Sequence, residues 1–515
     1  MSPGPQVFQN AAVELLSQSV GAGWGTRTAF IDESGSFSFQ AVNGLVNCSA
    51  NAFRGMQLLP GERVVLCLTD SIDFPTCFLG AIQAGIVPIP VNTLWTADDY
   101  AYVLADSDAT AAVVSASCLS AFLEGAEISG WMGKVIASGE IETSRFPTLR
   151  DLITKAKSSF EPHQAQASEV CFWLYSSGST GRPKAAVHLQ ASLAATARLF
   201  AQAVLGISRQ DVIYSAARLS FAYGLGNSLS FPLYTGATSI LSGQKPSPEV
   251  VNRILRERKV TVFFGIPTLF ASLLQSPDLP GHEEHSLRFC VSAGEALPEN
   301  LGRAWKARTG VDIVDGIGST EMLHIFISNT PEHVAYGTSG RPTPGYQAKL
   351  LDENRDPVET GGIGDLWISG PTCCRGYWNQ PEKSLSTFVD GWMRTGDKYR
   401  ETQEGNYVHC GRSDDMLKVG GLWVSPVEVE STLNRHAAVL EAAVIGYEDE
   451  QGLVKPKAFV VLKPGYEGSA LLEEQLKHFT KSQLAPYKYP RWIEFVSELP
   501  RTVTGKVQRY RLRTP

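Results

Sequence analysis

The most informative stretch of the chain is Tyr175-Ser176-Ser177-Gly178-Ser179-Thr180-Gly181-Arg182-Pro183-Lys184. It carries two glycines, four aliphatic hydroxyls and two cations. The apolar run 170–174 before it predicts a strand, and residues 191–200 after it predict a helix. Glycines let backbone N–H groups approach an anion closely, and hydroxyls add further donors. The stretch therefore predicts a loop that leaves a strand and holds a phosphate chain.

This loop differs from the common nucleotide-binding loop, which requires Gly-x-x-x-x-Gly-Lys followed by Ser or Thr. Here Pro183 separates Arg182 from Lys184, and no hydroxyl follows the lysine. The alternative interpretation is a flexible surface loop. It is disfavoured because a plain linker seldom follows an apolar strand with so many hydrogen-bond donors.

Length, composition and charge narrow the class of protein. A chain of 515 residues, 43% of them hydrophobic, can form more than one domain with sizeable cores. The net charge of -7 disfavours a general nucleic-acid binder. Nine cysteines without metal-ligand spacing suggest a reducing compartment. We see no secretory signal and no apolar run of membrane-spanning length, so we expect a soluble cytoplasmic protein.

The first half of the chain alternates between strand and helix patterns. Short apolar runs predict strands at 64–68, 85–91 and 111–114. Helical patterns at 74–84 and 98–106 separate them. This βαβ rhythm predicts an α/β fold with mostly parallel sheets covered by helices.

Three later segments repeat the design of an apolar strand followed by a turn. They are 262–267, which stops at Pro267, then 288–298 and 311–321. Ligands of α/β sheets collect beyond the carboxyl ends of the strands, so these turns and the phosphate loop are expected to converge on one site. Glu321 is a hard oxygen ligand suited to Mg²⁺ held together with substrate phosphates. A carboxylate at a helix N-terminus is the alternative, and both roles are compatible.

Two further segments suggest a nucleotide and an apolar ligand. Residues 391–397 place Asp397 where a strand turn closes, and its carboxylate can accept two hydrogen bonds from ribose hydroxyls. An ordinary turn aspartate is the alternative. Residues 218–227 mix aromatic, small and glycine residues, which suits the wall of a flat apolar pocket. Taken alone, that stretch favours ordinary core packing.

A boundary is predicted at 411–421, where charge and glycine replace the apolar pattern. Beyond it a helix at 426–435, strands at 442–446 and 457–462 and a helix at 471–484 predict a small α+β domain of about one hundred residues. Lys506 follows Gly505 in the final turn. It can travel with this domain or be a solvated tail lysine.

Taken together and in this order, the segments 176–184, 318–321, 395–397, 411–412 and 505–506 resemble the motifs of the adenylate-forming superfamily of acyl-CoA synthetases, adenylation domains and luciferases. The resemblance covers nearly the whole chain. The runs 221–227, 316–326 and 418–426 are similar to the benzoate-CoA ligase branch. The resemblance implies a large N-terminal domain of mixed parallel sheets flanked by helices, residues 1–411. It also implies a small mobile α+β C-terminal domain, residues 412–515, that swings about a hinge near Asp414.

The resemblance implies a two-step reaction. An aryl carboxylate, either benzoate or 2-aminobenzoate (anthranilate), attacks the α-phosphate of MgATP and expels pyrophosphate. The thiol of coenzyme A then attacks the acyl-adenylate and releases AMP. ATP, Mg²⁺ and coenzyme A are thus implied, with no nucleic-acid or membrane partner. A homodimer is one option for an assembly state that stays open.

The resemblance also assigns roles position by position. Thr320 would touch the α-phosphate, Glu321 would hold Mg²⁺, and Lys506 would bridge the substrate carboxylate and the α-phosphate during adenylation. The implied nucleotide and coenzyme A contacts are Ser176, Ser177, Gly178, Ser179, Thr180, Gly181 and Lys184 for the outer phosphates; Gly294, Glu295, Ala296, Asp315, Gly316 and Ile317 for adenine; Asp397 and Arg412 for ribose; and Gly420, Gly421 and Trp423 for pantetheine. One departure is Ala185, where the family usually has glycine.

The acid pocket is expected to combine small residues with one aromatic side chain, which favours a flat ring over a long alkyl chain. His324 either meets a ring substituent or packs beneath the pocket, and both alternatives stay open. The expected lining is Ala222, Tyr223, Ser292, Ala293, Gly316, Ile317, His324 and Ile325.

Three rival functions differ in kind. A stand-alone adenylation enzyme would load a carrier protein, although no carrier domain follows Lys506 in the nine remaining residues. A non-catalytic nucleotide-binding relative is disfavoured by intact Glu321, Asp397 and Lys506. A luciferase-like oxygenase would share the first step, and no residue here marks it.

Overall fold

The computed structural model describes residues 10–21, 23–141, 145–176, 183–413, 415–419, 422–449, 453–485, 487–501 and 507–512. Within them the α/β class is confirmed: a large part built of parallel and mixed sheets with helices precedes a smaller α+β part. No helix in these ranges is both long enough and apolar enough to cross a membrane.

A four-stranded parallel sheet forms near the N-terminus. Its strands are buried on both faces because helices cover the sheet, and their apolar runs are therefore continuous. The strand order is Val87–Pro90, Arg63–Cys67, Ala111–Ser115 and Lys134–Ser138. The connecting helices are Asp73–Gln83, Ala97–Ser107 and Leu119–Ser129. Thr96 and Asp99 form a capping box at the start of the second helix, which fixes where that helix begins.

A nine-stranded sheet forms the centre of the larger part. Six of its neighbouring strands run parallel, and strands at its two edges pair antiparallel. The strand order is Arg341–Pro342, Ile325–Ser328, Ile313–Gly318, Phe289–Ser292, Val262–Gly265, Val212–Ser215, Thr238–Ile240, Thr28–Asp32 and Gly35–Ser38. Pro267, expected as a strand stop, also begins the helix Pro267–Gln275, where its missing N–H costs nothing.

Helices cover this sheet on both sides and bury apolar side chains against it. The segment 191–200 is helical as expected, with a standard turn followed by a wider π-helical stretch. The bounds are Ala11–Gly21, Phe39–Gly55, Leu149–Lys155, Ser192–Thr196, Ala197–Gln202, Ala222–Leu225, Gly226–Ser230, Phe231–Thr235, Pro248–Glu257, Pro267–Gln275 and Glu299–Thr309, besides the short turn Ala116–Cys118.

The phosphate stretch connects two strands, which the sequence analysis missed. Val170–Ser176 and Lys184–Leu189 pair antiparallel, with Ser176 opposite Lys184. The expectation that the loop leads from the strand directly toward a helix was therefore incomplete. Ala185, Ala186 and Val187 are buried on both faces of the second strand, and such a run is too short to separate from a loop by its pattern.

A five-stranded antiparallel sheet follows, built from Gln347–Leu351, Ile363–Ser369, Trp392–Glu401, Phe388–Val389 and Tyr407–Arg412, with the helix Pro381–Thr387 beside it. Asp397 lies within the strand Trp392–Glu401 and pairs with Arg412. We had expected Asp397 to close a turn, and this expectation is wrong. The strand continues past Gly396 because residues on both sides of that glycine pair with Ile363–Ser369.

The C-terminal part has the predicted α+β pattern with longer strands than expected. Its bounds are Leu417–Val419, Leu422–Val424, Pro426–Leu433, Val439–Glu448, Val454–Leu462, Ala470–Gln483, Trp492–Phe495 and Arg509–Leu512. The helices Pro426–Leu433 and Ala470–Gln483 pack against the three-stranded sheet around a buried apolar cluster. The division at residue 411 stays a prediction.

Candidate active site

The strand ends converge on one cavity of about 1010 Å³, near the upper end of the usual range for ligand sites. Ser176 and Lys184 approach it from the hairpin, and 294–296 and 315–321 from neighbouring strands of the large sheet. The cavity lies where the larger part meets the C-terminal part. Further lining residues are Asp397, Arg412, Asp415, Glu430, Arg501 and Arg509. The predicted convergence of the turns is therefore observed.

A compact ionic cluster forms one wall. Lys184 Nζ lies 2.8 Å from Glu321 Oε1 and donates to the Tyr377 hydroxyl at 2.6 Å. That hydroxyl donates to the same Glu321 oxygen at 2.8 Å. Burial would raise the pKa of the Glu321 carboxyl, but Lys184 and the Tyr377 hydroxyl outweigh it and hold the pKa below its ordinary value. The wall therefore presents a fixed cation beside a fixed carboxylate at neutral pH.

Tyr377 is a site residue that the sequence analysis did not assign. It reaches the cluster because residues 375–378 run alongside the strand Lys184–Leu189. Val187 N–H donates to Gly376 O, and Ala186 forms an antiparallel β-bridge with Tyr377. The only local signal was an aromatic pair after a glycine in Gly376-Tyr377-Trp378. That signal is also typical of ordinary packing.

Glu321 belongs to a turn between two antiparallel strands, Ile313–Gly318 and Ile325–Ser328. The alternative role as a helix N-terminal carboxylate is therefore wrong. Met322 N–H donates to Ser319 Oγ at 3.2 Å, and Leu323 N–H donates to Thr320 O at 3.1 Å. Gly318 is required here, since a Cβ atom would lie 2.6 Å from the His324 carbonyl oxygen. The turn thus presents Thr320 and Glu321 side by side.

The donor set at Glu321 fits a Mg²⁺ ion that is shared with a substrate. Among the described residues no group of three or more His, Cys, Asp and Glu side chains could hold a metal by itself. Mg²⁺ commonly takes one or two carboxylates and completes its shell with phosphate oxygens and water. A single ionised carboxylate in the wall of a cavity agrees with that mode.

The residues expected at the nucleoside also line this cavity. Asp397 Oδ1 lies 3.3 Å from Arg412 Nη1 and 3.7 Å from His409 Nε2. Gly396 has φ +78, and a Cβ atom there would lie 2.8 Å from Arg412 Nη2. The glycine therefore allows the guanidinium to approach the carboxylate closely. Sequence analysis did not identify His409.

Asp315 is buried at the expected adenine position. Burial raises the pKa of its carboxyl well above the ordinary value, against two backbone hydrogen bonds from Leu297 and Gly316. Its Oδ1 has no hydrogen-bond partner within the part of the chain that the structure describes. The nearby residues 294–296 line the same cavity. Because its raised pKa favours the protonated form, this carboxyl is a hydrogen-bonding group of the cavity wall.

Of the eight residues expected in the acid pocket, Gly316 and Ile317 line this cavity. The other six are not among its lining residues: Ala222, Tyr223, Ser292, Ala293, His324 and Ile325. The Tyr223 hydroxyl donates to Val291 O at 3.2 Å, which joins the helix Ala222–Leu225 to the sheet and fills the space between them. These six side chains therefore lie outside the lining of this cavity, and Tyr223 packs between its helix and the sheet.

His324 is packed among other side chains, which agrees with the second of the two alternatives given for it. It is 2% exposed, and its Nε2 lies 3.0 Å from Asn227 Oδ1. Its ring centroid lies 4.6 Å from that of Phe231 and 5.5 Å from that of Tyr223. Burial lowers the pKa of His324 to about 3. The side chain is therefore neutral at physiological pH.

This burial predicts a pH-dependent mutant effect. In the unfolded chain His324 takes a proton near pH 6.5, whereas the folded protein keeps it neutral, so stability falls as pH drops below that value. We expect the destabilisation caused by His324→Gln to shrink by about 2 kcal/mol between about pH 7.5 and about pH 5. Urea midpoints of wild type and variant at both pH values measure this. An equal difference at both would contradict a neutral buried histidine.

Several predicted residues lie outside the described residues: Ser177, Gly178, Ser179, Thr180, Gly181, Asp414, Gly420, Gly421 and Lys506. Trp423 belongs to the strand Leu422–Val424, where the structure describes its backbone but not its side chain. Both ends of the phosphate stretch are held by hydrogen bonds. Tyr175 hydroxyl donates to Asp106 Oδ2 at 2.6 Å, and Tyr102 hydroxyl donates to Pro183 O at 3.0 Å. Because Tyr102 and Asp106 lie one turn apart on the helix Ala97–Ser107, one helix holds both ends.

The chain belongs to the AMP-binding enzyme family, whose profile matches residues 17–378, and the AMP-binding enzyme C-terminal domain matches residues 428–506. A benzoate–CoA ligase of Thauera aromatica is 52% identical over 514 residues, 98% of this chain and 96% of that protein. A benzoate CoA ligase structure from Burkholderia xenovorans LB400 matches with a TM-score of 0.92 and 45% identity, covering 98% of this chain and all of that one (100%). The anthranilate CoA ligase AuaEII in complex with anthranoyl-AMP matches with a TM-score of 0.93 and 39% identity, covering 98% and 97% of the two chains. The family predicted from the motifs is confirmed.

Proposed function

We propose that this chain is an ATP-dependent, AMP-forming aryl-CoA ligase acting on a benzoate-type acid. The observation that carries the proposal is the similarity to a benzoate–CoA ligase over nearly the whole of both chains. Two successive steps follow: the aryl carboxylate and ATP give an aryl-adenylate and pyrophosphate, and the thiol of coenzyme A then gives the thioester and AMP. Lys184 places one cation in the cavity wall for the anionic substrates of the first step.

The first step needs positive charge and positioning, because a carboxylate and a phosphate chain repel each other. Lys184 and Glu321 neutralise one another in the free protein. With MgATP in the cavity, Lys184 would meet phosphate oxygens while Glu321 would hold Mg²⁺, an ion that neutralises phosphate charge. The ion pair therefore prepares one group for each member of a metal–phosphate pair.

The remaining roles are proposed at the positions where the motifs match. Thr320, Ser176, Asp397 and Arg412 all line the cavity, and we assign the first two to the phosphates and the last two to ribose. We assign the outer phosphates also to 177–181, adenine to 294–296 and 315–317, and pantetheine to Gly420, Gly421 and Trp423. Lys506 would stabilise the charge between carboxylate and α-phosphate, then leave as residues 412–515 swing about Asp414.

Acid selection is proposed to depend on the packing around Tyr223 and His324. Their rings, with Phe231 and Phe264, form an apolar aromatic group behind the strand Ile313–Gly318. A flat ring suits such surroundings better than a charged or long substituent. Benzoate and 2-aminobenzoate both remain candidates, since one pocket contact discriminates by about 1–3 kcal/mol.

We also propose a cytoplasmic location, because all nine cysteines are free thiols. Assembly as a homodimer stays a proposal that sedimentation would test.

A panel of benzoates with single ring substituents tests the function, with pyrophosphate release measured with and without coenzyme A. We expect release with benzoate or 2-aminobenzoate, and a CoA thioester detectable by mass. Release without any thioester would contradict the ligase and favour loading of a carrier protein. If no acid supports release, a non-catalytic nucleotide-binding role replaces both.

A further inference from the structure

The chain on either side of residues 502–506 forms a paired base. Arg501 and Val507 form an antiparallel bridge, and Gln508 N–H donates to Pro500 O at 2.7 Å. Lys506 immediately precedes the paired Val507 in the sequence. A displacement of Val507 therefore reaches the lysine across one peptide unit.

Arg509, two residues beyond the bridge, makes a forked contact with Glu430. Its Nε lies 3.1 Å from Glu430 Oε1, and its Nη2 lies 3.0 Å and 2.8 Å from the two carboxylate oxygens. Glu430 also accepts the Val444 N–H at 2.7 Å. The carboxylate thus joins three elements: the final helix Arg509–Leu512, the helix Pro426–Leu433 and the strand Val439–Glu448.

Apolar and ionic contacts act differently on this base. Val507 and Leu512 pack against a small cluster that includes Ile445 and Phe459. Apolar packing is non-directional, so it holds the final segment to the sheet without setting its orientation closely. An Arg–carboxylate fork specifies both distance and angle, and a lysine cannot reproduce it. The Glu430 side chain is 10% exposed, so solvent screens the fork only weakly.

The same guanidinium faces the cavity. Arg509 Nη1 lies 3.6 Å from Asp415 Oδ2, next to the predicted hinge, and Arg509 and Asp415 both line the cavity. Burial lowers the pKa of Arg509, but the carboxylates of Glu430, Asp415 and Glu295 raise it above its ordinary value. Glu295 belongs to the larger part of the chain. The guanidinium that holds the base of the 502–506 segment therefore lies in the wall of the cavity.

We propose that Arg509 is a positioning residue for the adenylation step: through its fork with Glu430 it sets where Lys506 stands relative to the acid carboxylate and the α-phosphate. The proposal rests on the proposed function and on the role assigned there to Lys506. Arg509 touches neither substrate in this account. Its effect is therefore confined to the half-reaction that uses Lys506.

The test compares the half-reactions in wild type and Arg509→Ala. We expect benzoate-dependent exchange of pyrophosphate into ATP to fall about 10–30-fold, since small misplacements of a catalytic group are costly. Thioester formation from synthetic benzoyl-adenylate and coenzyme A should change by less than about three-fold. Arg509→Lys should not restore exchange, because it keeps the charge without the fork.

A double variant separates positioning from direct binding. If Arg509 acts only through Lys506, then Lys506→Ala/Arg509→Ala has the same exchange rate as Lys506→Ala alone. Lys488→Ala is the matched control. It removes the 2.6 Å ion pair between Lys488 and Glu428. Glu428 lies on the same helix as Glu430, but this ion pair does not involve the final helix Arg509–Leu512. Both half-reactions should keep their wild-type rates in that variant.

Two outcomes would overturn the proposal: equal losses in both half-reactions of Arg509→Ala, or a further loss of exchange in the double variant. If Arg509→Ala does not fold, Glu430→Gln keeps the side-chain size and an acceptor while weakening the fork. A folded Glu430→Gln protein with wild-type exchange also overturns it. If wild-type protein shows no aryl-acid-dependent exchange, the proposed function itself fails, which is a different result.

Discussion

Replacing Lys506 by alanine is expected to lower the adenylation rate about 1000-fold. Removal of one preorganised group that stabilises developing charge typically costs about 10²–10³ in rate. Conversion of a preformed benzoyl-adenylate to its CoA thioester should stay within about three-fold of wild type, because the proposed swing removes Lys506 from the cavity before that step. Pyrophosphate exchange and a thioester assay with synthetic adenylate measure the two steps separately.

Lys481→Ala provides the control for charge and side-chain loss in the same part of the chain, since Lys481 is exposed on the helix Ala470–Gln483. Both steps should proceed normally in that variant. Equal losses of both steps in Lys506→Ala would contradict the division of roles between two conformations. Such a result would place Lys506 in a site used throughout the reaction.

Replacing Glu321 by glutamine is expected to lower adenylation about 100-fold and to raise the Mg²⁺ concentration needed for half-maximal rate. Glutamine keeps an oxygen that accepts the Tyr377 hydroxyl, but it removes the charge that would hold the metal. It also leaves Lys184, whose side chain is 15% exposed, without its countercharge. Initial rates across a Mg²⁺ series, together with a thermal unfolding curve, measure both effects.

Tyr377→Phe separates charge from hydrogen bonding within the same cluster. It removes one hydroxyl that contacts Lys184 and Glu321 but leaves the carboxylate ionised. We expect a loss of less than about ten-fold, consistent with about 1 kcal/mol for one net hydrogen bond. If the loss equals that of Glu321→Gln, the carboxylate charge is not the decisive feature. Because the pKa of Glu321 lies below its ordinary value, the rate should show no titration of this group above about pH 6.

The differences between expectation and structure have local physical reasons. Residues 184–189 were not predicted as a strand because their four apolar residues are too few to establish a period. Asp397 follows a glycine, which usually ends a strand, yet antiparallel partners on both sides carry the strand past it. Tyr223 and His324, both expected to line the acid pocket, lie next to each other. Their packing behind the strand depends on hydrogen bonds to Val291 and Asn227.

By itself the sequence determined the alternation of strands and helices, the order of the glycine-containing turns and thereby the family. These features depend on side-chain periodicity and turn chemistry within a few residues, which can be read directly from the chain. Only the tertiary structure decided which distant groups meet. Lys184 and Tyr377 are 193 residues apart in the chain, and Glu430 and Arg509 are 79 apart. Such pairs form because packed sheets and helices bring their ends together, and no local pattern encodes that distance. The two ends of the phosphate stretch could be located from the sequence, whereas the ionic cluster at Lys184 and the helix that holds both ends could not.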